Sequence, residues 1–201
     1  NLLLQEVRSQ LSLNQSQMAQ RIGIAPNAYS AWERATRTPR RKEYEKIAGY
    51  IEETIKSRKG NYLVFFPSYE MLESVYGAFI TLDIAKDCAC KLQNINMTEA
   101  EREQFLNEFE KEQEKSLLGF CVMGGIFSEG IDLTEEKLIG AIIVGTGLPK
   151  VCTEREILKQ HFDARGLGGF DYAYLYPGMN KVLQSAGRVI RTATDKGCVL
   201  L

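Results

Sequence analysis

Gly60-Asn61-Tyr62-Leu63-Val64-Phe65-Phe66-Pro67-Ser68 is the stretch that decides the fold. Its apolar run, Tyr62 to Phe66, is bounded by Gly60 and Pro67, the pattern of a buried parallel strand. Ser68 is placed to cap the helix expected over Tyr69 to Phe79. The same grammar returns at Phe120-Cys-Val-Met123, Ala141-Ile-Ile-Val-Gly145, Tyr172-Ala-Tyr-Leu-Tyr176 and Gly197-Cys-Val-Leu-Leu201, with helices between most of them. Strands alternating with helices predict an α/β layer with a mostly parallel sheet flanked by helices. Upstream, Arg41 to Lys59 reads as a charged helix with Tyr44, Ile47, Ala48, Ile51 and Ile55 on its inner side. Residues 81 to 116 interrupt the rhythm with a charged segment. Phe105, Leu106 and Phe109 give that segment a narrow apolar stripe, expected as an amphipathic helix bordering the sheet, with no chemistry.

With 201 residues, 44% hydrophobic and 25% charged, the composition fits one ordinary domain, or a small one beside a medium one, and excludes a disordered tail. The formal charge of −1 is a cancellation: residues 1 to 60 carry 11 basic and 6 acidic side chains, and the rest carry 14 and 20. No run approaches the roughly 18 consecutive apolar residues of a membrane span, and Asn1 to Leu4 does not open a signal peptide, so a cytoplasmic chain without membrane contact is expected. The five cysteines, Cys88, Cys90, Cys121, Cys152 and Cys198, are odd in number and lack paired zinc-site spacing. Reduced thiols and no metal site are therefore expected. His161, the single histidine, lies in a charged helical stretch and is expected at the surface.

The basic N-terminal part has its own pattern. Leu3, Leu4, Val7 and Leu11 recur at helical spacing, Asn14 starts a second segment, and Gly23 separates it from a third running to Glu33. Ala19, Gly23, Ile24, Tyr29 and Trp32 sit where a helix-turn-helix needs its small contact residue, its turn glycine and its inner apolar face. Residues 2 to 40 resemble the Cro and phage-repressor, or XRE, type of helix-turn-helix. The resemblance implies a small all-α domain over residues 1 to 40 whose recognition helix, Pro26 to Arg34, turns Asn27, Ala28 and Ser30 toward base edges of duplex DNA. Gln15, Arg37, Arg40 and Arg41 would then hold the backbone. The same pattern also fits a helical hairpin packed on a protein neighbour.

Two constellations in the remainder carry chemistry. Gly124-Gly-Ile-Phe-Ser-Glu-Gly-Ile-Asp132 follows a predicted strand directly, at the end of a sheet where α/β proteins bind ligands. Its glycines can cradle phosphate through backbone amides, although an ordinary turn has the same composition. In the helix after Pro177, Gln184, Gly187, Arg188 and Arg191 stand at i, i+3, i+4 and i+7 and share a face. Met179, Val182, Leu183, Ala186, Val189 and Ile190 are expected to form the opposite, core face. Gly187 in a helix interior costs about 1 kcal/mol relative to alanine, which close approach of a partner would explain. Two arginines a turn apart can hold phosphate oxygens in forked geometry. A solvated face of ion pairs is the plain alternative.

Together these motifs resemble the second motor lobe of a superfamily 2 DNA helicase of the XPD/DinG-like type. Asn61 to Tyr69 is similar to motif IV, Gly124 to Leu133 to motif V, and Gln184-Ser-Ala-Gly-Arg-Val-Ile-Arg191 to motif VI. The resemblance implies a RecA-like lobe over residues 41 to 201 that closes on ATP and magnesium and walks on single-stranded DNA. Arg188 and Arg191 would be arginine fingers, Glu129, Gly130, Asp132, Gln184 and Gly187 would line the nucleotide cleft, and Glu129 and Asp132 would also couple the cleft to the DNA groove. Ser68 and Gly125 are candidates for DNA-backbone contact.

The phosphate loop G-x-x-x-x-G-K-[ST] has no counterpart, since the sequence contains no Gly-Lys dipeptide. ATP and magnesium would thus be held mainly by a first lobe, which a partner could supply in trans, and the chain alone is expected not to turn ATP over. The family's iron–sulfur cluster belongs to that first half, so none is expected here. The abrupt junction near Thr36 to Glu43 and the strand-like end at Leu201 suggest a deletion fusion or gene fragment. Two other functions stay open: a helix-turn-helix transcriptional regulator with a non-catalytic α/β domain, and an interaction module that packs on a partner.

Overall fold

The computed structural model describes residues 8, 13–21, 26, 41–127, 133, 135–190 and 195–201. Asn27, Ala28, Ser30, Arg37, Glu129, Gly130, Asp132 and Arg191 lie outside the described residues. The chain divides into two compact units, residues 1–43 and 44–201.

In the first unit, helix α1 spans Gln15–Arg21. Asn14 and Gln17 cap it reciprocally: the Gln17 amide donates to Asn14 Oδ1 at 2.8 Å, and the Asn14 amide donates to Gln17 Oε1 at 2.9 Å. Met18 and Ala19 are buried with Leu13 packed against them. The burial of Ala19 matches the small contact residue expected there.

The second unit is built on strands β1 (Asn61–Phe66), β2 (Cys88–Leu92), β3 (Ser116–Val122), β4 (Gly140–Ile143) and β5 (Cys198–Leu200). They form one sheet in the order β2-β3-β1-β4-β5, and every pairing is parallel. Its helices are α2 (Arg41–Ser57, entering from the first unit), α3 (Tyr69–Phe79), α4 (Glu99–Glu110), α5 (Thr153–Asp163) and α6 (Tyr176–Ala186). Alternation along β1 sorts the core. Tyr62, Val64 and Phe66 pack with Ala48, Ile51 and Ile55 of α2 and Leu72, Val75 and Phe79 of α3. Leu63 and Phe65 pack with Phe105 and Phe109 of α4 and Val182 of α6. All six β1 residues are buried, as its unbroken apolar run requires.

Several expectations need correction. Tyr172 to Tyr176 is not a strand: Asp171–Leu175 is a single π-helical turn, closed by the Tyr176 amide donating to the Asp171 carbonyl, and it leads into α6. A Tyr-Ala-Tyr-Leu-Tyr run satisfies period-two alternation, but the buried positions are the adjacent Ala173 and Tyr174, a helical signature. The segment read as an interruption contains edge strand β2, whose residues are all half-buried. β3 begins four residues before Phe120. Finally, α6 ends at Ala186, which places Gly187 at its C-cap instead of its interior. Met179, Leu183 and Ile190, expected in the core, are exposed.

Candidate functional site

Because the strands are parallel, their carboxyl ends meet at one edge of the sheet, and the loops there are the natural ligand site. After β1, Ser68 is the N-cap of α3, its Oγ accepting the Met71 amide at 3.3 Å. After β2 comes Gln93, which sequence reasoning missed because nothing distinguishes it in a segment read as connective. It is buried, and it joins three strand ends. Its Oε1 accepts the Val122 amide at 2.9 Å, its amide donates to the Phe120 carbonyl at 2.9 Å, and its Nε2 donates to the Tyr69 hydroxyl at 2.9 Å. Burial raises the Tyr69 phenol above its ordinary pKa, against the bond from Gln93, so it stays a neutral donor.

The loop after β3 turns at Gly124, whose φ of 70° lies in the left-handed region that favours glycine. The Gly125 amide donates back to the Val122 carbonyl at 3.1 Å. It is spent on the turn, which narrows the expected phosphate cradle. A Cβ at Gly125 would stand 2.9 Å from Gln93 Nε2, so this glycine is required for close packing. Phe127 anchors the loop: it is fully buried and stacks on Phe105 of α4, with centroids 4.2 Å apart and planes at 30°.

Helix α6 rests on these loops by backbone contact. A Cβ at Gly178 would come within 3.0 Å of the Thr146 carbonyl and 2.8 Å of Leu148 Cδ2, in the loop after β4. Lys181 lies over Gly124 and Gly147: a Cβ at Gly124 would meet Lys181 Cε at 3.0 Å. At the other end of α6, Arg188 Nε donates to the Gln184 carbonyl at 3.2 Å. A cation there satisfies a terminal carbonyl and complements the helix dipole. The structure thus brings Gln184 and Arg188 together, with Gln184 exposed and Gly187 beside them at the cap. Ser68 and Gly125 share the sheet edge on which the first half of α6 sits. Gln15 belongs to the first unit, half-buried as the first residue of α1.

The guanidinium of Arg188 and the amide of Gln184 suit phosphate oxygens and a nucleotide edge. Among the described residues no three His, Cys, Asp or Glu side chains converge. The described cysteines are free thiols. Burial pushes Cys90 up to about 11 and Cys121 well above the usual thiol range. His161 is exposed, as expected.

A family model described as the helicase C-terminal domain matches residues 51–201. The chain belongs to this family. A helix-turn-helix model matches residues 4–56, so the two matches overlap on α2. The helicase lobe is similar to a probable ATP-dependent helicase of Methanocaldococcus jannaschii, 29% identical over 170 residues, covering 80% of this chain and 26% of the archaeal protein. It is also similar to the regulator of telomere elongation helicase 1 homolog of Drosophila melanogaster, 30% identical over 151 residues, covering 69% of this chain and 15% of the fly protein. The chain therefore spans about a quarter or less of these relatives. Among solved structures, an apo XPD superposes with a TM-score of 0.64 at 21% identity over 82% of this chain and 32% of that one. A second XPD helicase structure gives 0.64 at 22% identity, over 82% and 28%. These likenesses show the fold: the helicase lobe has the parallel α/β architecture of XPD. Among the described residues no helix is long and apolar enough to cross a membrane.

Proposed function

We propose that residues 41–201 act as the second motor lobe of an ATP-dependent DNA helicase, and that residues 1–40 form a separate helix-turn-helix. The observation that carries this reading is the seating of α6. One end of the helix lies on the loop after β3, which carries motif V, and on the loop after β4, and the other presents Gln184 and Arg188. In this reading Arg188 and Arg191 serve as arginine fingers, withdrawing charge from the transferred phosphoryl group. Gln184 and Gly187 line the nucleotide cleft, and Glu129, Gly130 and Asp132 link it to the strand groove. Ser68 retains a hydroxyl proton to donate to a DNA phosphate while it caps α3. Gly125, its amide already used, contributes a close backbone approach and not a donor. Bound ATP and its magnesium would supply the driving reaction, held mainly by a first lobe. The exposed Met179, Leu183 and Ile190 offer apolar area against which that lobe would close.

The test mixes this chain with a separately produced first lobe from a relative and measures ATP hydrolysis with and without single-stranded DNA. Strand-stimulated hydrolysis is expected in the mixture alone, reduced about a thousandfold by Arg188→Ala. Hydrolysis by the chain alone, or indifference to Arg188→Ala, would overturn the assignment.

The helix-turn-helix match over residues 4–56 favours a second reading for the N-terminal part, duplex binding through Asn27, Ala28 and Ser30 with Gln15 and Arg37 on the backbone. Loss of duplex binding on Asn27→Ala and Ser30→Ala, with single-strand binding retained, is the expected result. Binding unaffected by both changes would remove the reading.

A further inference from the structure

Outside the motifs, one cluster of aromatic side chains lies partly at the surface. At the end of α5 and through the π-helical turn, four rings form a surface ladder. His161 packs edge-on to Phe162 at 5.5 Å, Phe162 stacks on Tyr172 at 4.1 Å and 14°, and Tyr172 meets Tyr176 at 5.2 Å and 87°. Their neighbour Tyr174 is different. It is fully buried, and its hydroxyl donates to Glu156, so it serves packing. Tyr172 and Tyr176, by contrast, are 39% and 48% exposed, and His161 is exposed as well.

The π-helical turn holds the ladder in place. Arg155 donates to the Ala173 carbonyl at 2.9 Å, and the Gly169 amide donates to Asp163 at 2.8 Å. Two of the nearby carboxylates, Glu156 and Asp163, are thus engaged internally. Lys150 and Arg165, from the same segment, are exposed. Two residues beyond Tyr176, Gly178 seats against the Thr146 carbonyl. The ladder therefore borders the sheet edge that carries Ser68 and Gly125.

Exposed aromatic rings are the chemistry that binds unpaired nucleobases, since every base has a π-face on which a ring can stack. We propose that the ladder His161, Phe162, Tyr172 and Tyr176 is a base-stacking platform that extends the path of single-stranded DNA beyond the motif loops. The inference rests on the reading of this lobe as a single-strand motor.

The test uses the full chain and a fluorescent dT15 strand, with excess unlabelled duplex present to occupy the N-terminal unit. Tyr172→Leu and Tyr176→Leu, which keep apolar bulk, should each weaken binding about 5- to 100-fold. Both should also relieve the quenching of a 2-aminopurine placed in the strand. Tyr172→Phe and Tyr176→Phe should bind as the parent does, and an abasic strand of equal length should be bound weakly and equally by all. Unchanged urea midpoints show that the leucine variants remain folded. Parent-like dT15 binding by the leucine variants would overturn the platform while leaving the motor reading intact. So would an equal loss on the abasic strand. No binding of dT15 by the parent would overturn both, and tighter binding of rU15 than dT15 would overturn the assignment to DNA.

Discussion

Phe127→Leu tests whether a stacked ring holds the motif V loop to the lobe. The Phe127 ring is fully buried, and its only ring partner among the described residues is Phe105, 4.2 Å away. Leucine retains most of the apolar volume and removes the aromatic pair. Such a pair contributes about 0.5–1.5 kcal/mol beyond its buried area, and a near-isosteric core swap costs up to about 1.5 kcal/mol more. A loss of about 0.5–3 kcal/mol is expected. With a urea slope near 2 kcal/mol/M, this lowers the midpoint by about 0.25–1.5 M. Far-UV circular dichroism is the suitable probe, because the single tryptophan, Trp32, reports the N-terminal part. Phe105→Leu should cost somewhat more, since that ring also stacks on Phe109 at 5.7 Å. The decisive quantity is the coupling in the double variant, expected at about 0.5–1.5 kcal/mol. Costs that add to within about 0.3 kcal/mol would refute the pairing, and the loop's anchor would have to be sought elsewhere.

Three further outcomes follow from the packing. Gly178→Ala places a methyl group 2.8 to 3.0 Å from Leu148 and the Thr146 carbonyl, so it should destabilise the lobe by about 1–3 kcal/mol, and a parent-like midpoint in urea would refute the close seat. Toward a colourless disulfide reagent at pH 8, the exposed Cys152 and Cys198 should react at once, whereas Cys121, buried and held protonated, should wait for unfolding; prompt modification of Cys121, located by mass spectrometry, would contradict its burial. At the start of α4, the amide and hydroxyl of Thr98 bind Glu101 and hold its carboxyl below the ordinary value. A carboxylate depressed in the folded state stabilises above its unfolded pKa and loses that contribution as pH falls through its folded pKa. The stability gap between parent and Thr98→Ala, measured by urea titration, should therefore narrow in acid, and a gap that widens there would reverse the assignment.

Much of this fold is legible in the residues, for reasons local to each element. Five apolar residues between Gly60 and Pro67 can only be a strand buried on both sides, and a serine before Tyr69 can cap only the helix that begins there. Elsewhere, tertiary context decides. Tyr172 to Tyr176 alternates like a strand, but the π-helical turn buries the neighbouring Ala173 and Tyr174. Cys88–Leu92 has no β-branched or aromatic residue to announce it, and it exists as a strand because β3 supplies its hydrogen bonds. In the site, the motif residues could be read from spacing, but their supports could not. Gln93 carries no pattern, and its importance lies in reaching Tyr69 and Val122 from 24 and 29 residues away. The end of α6 is hidden in the sequence because the helical period runs on through Ser-Ala-Gly-Arg, while Gly187 stops the helix.

Glycine contacts at one end of α6 and an arginine at the other make the helix a lever. Its eleven residues span about 16 Å. The fulcrum at Gly178 seats against the Thr146 carbonyl and Leu148, and Gly178 has no side chain of its own to flex and absorb a small movement. A shift in the loops after β3 and β4 would therefore reach Arg188 as rigid-body rotation of the whole rod. A side chain of any size at the fulcrum would loosen that linkage before it disturbed either end.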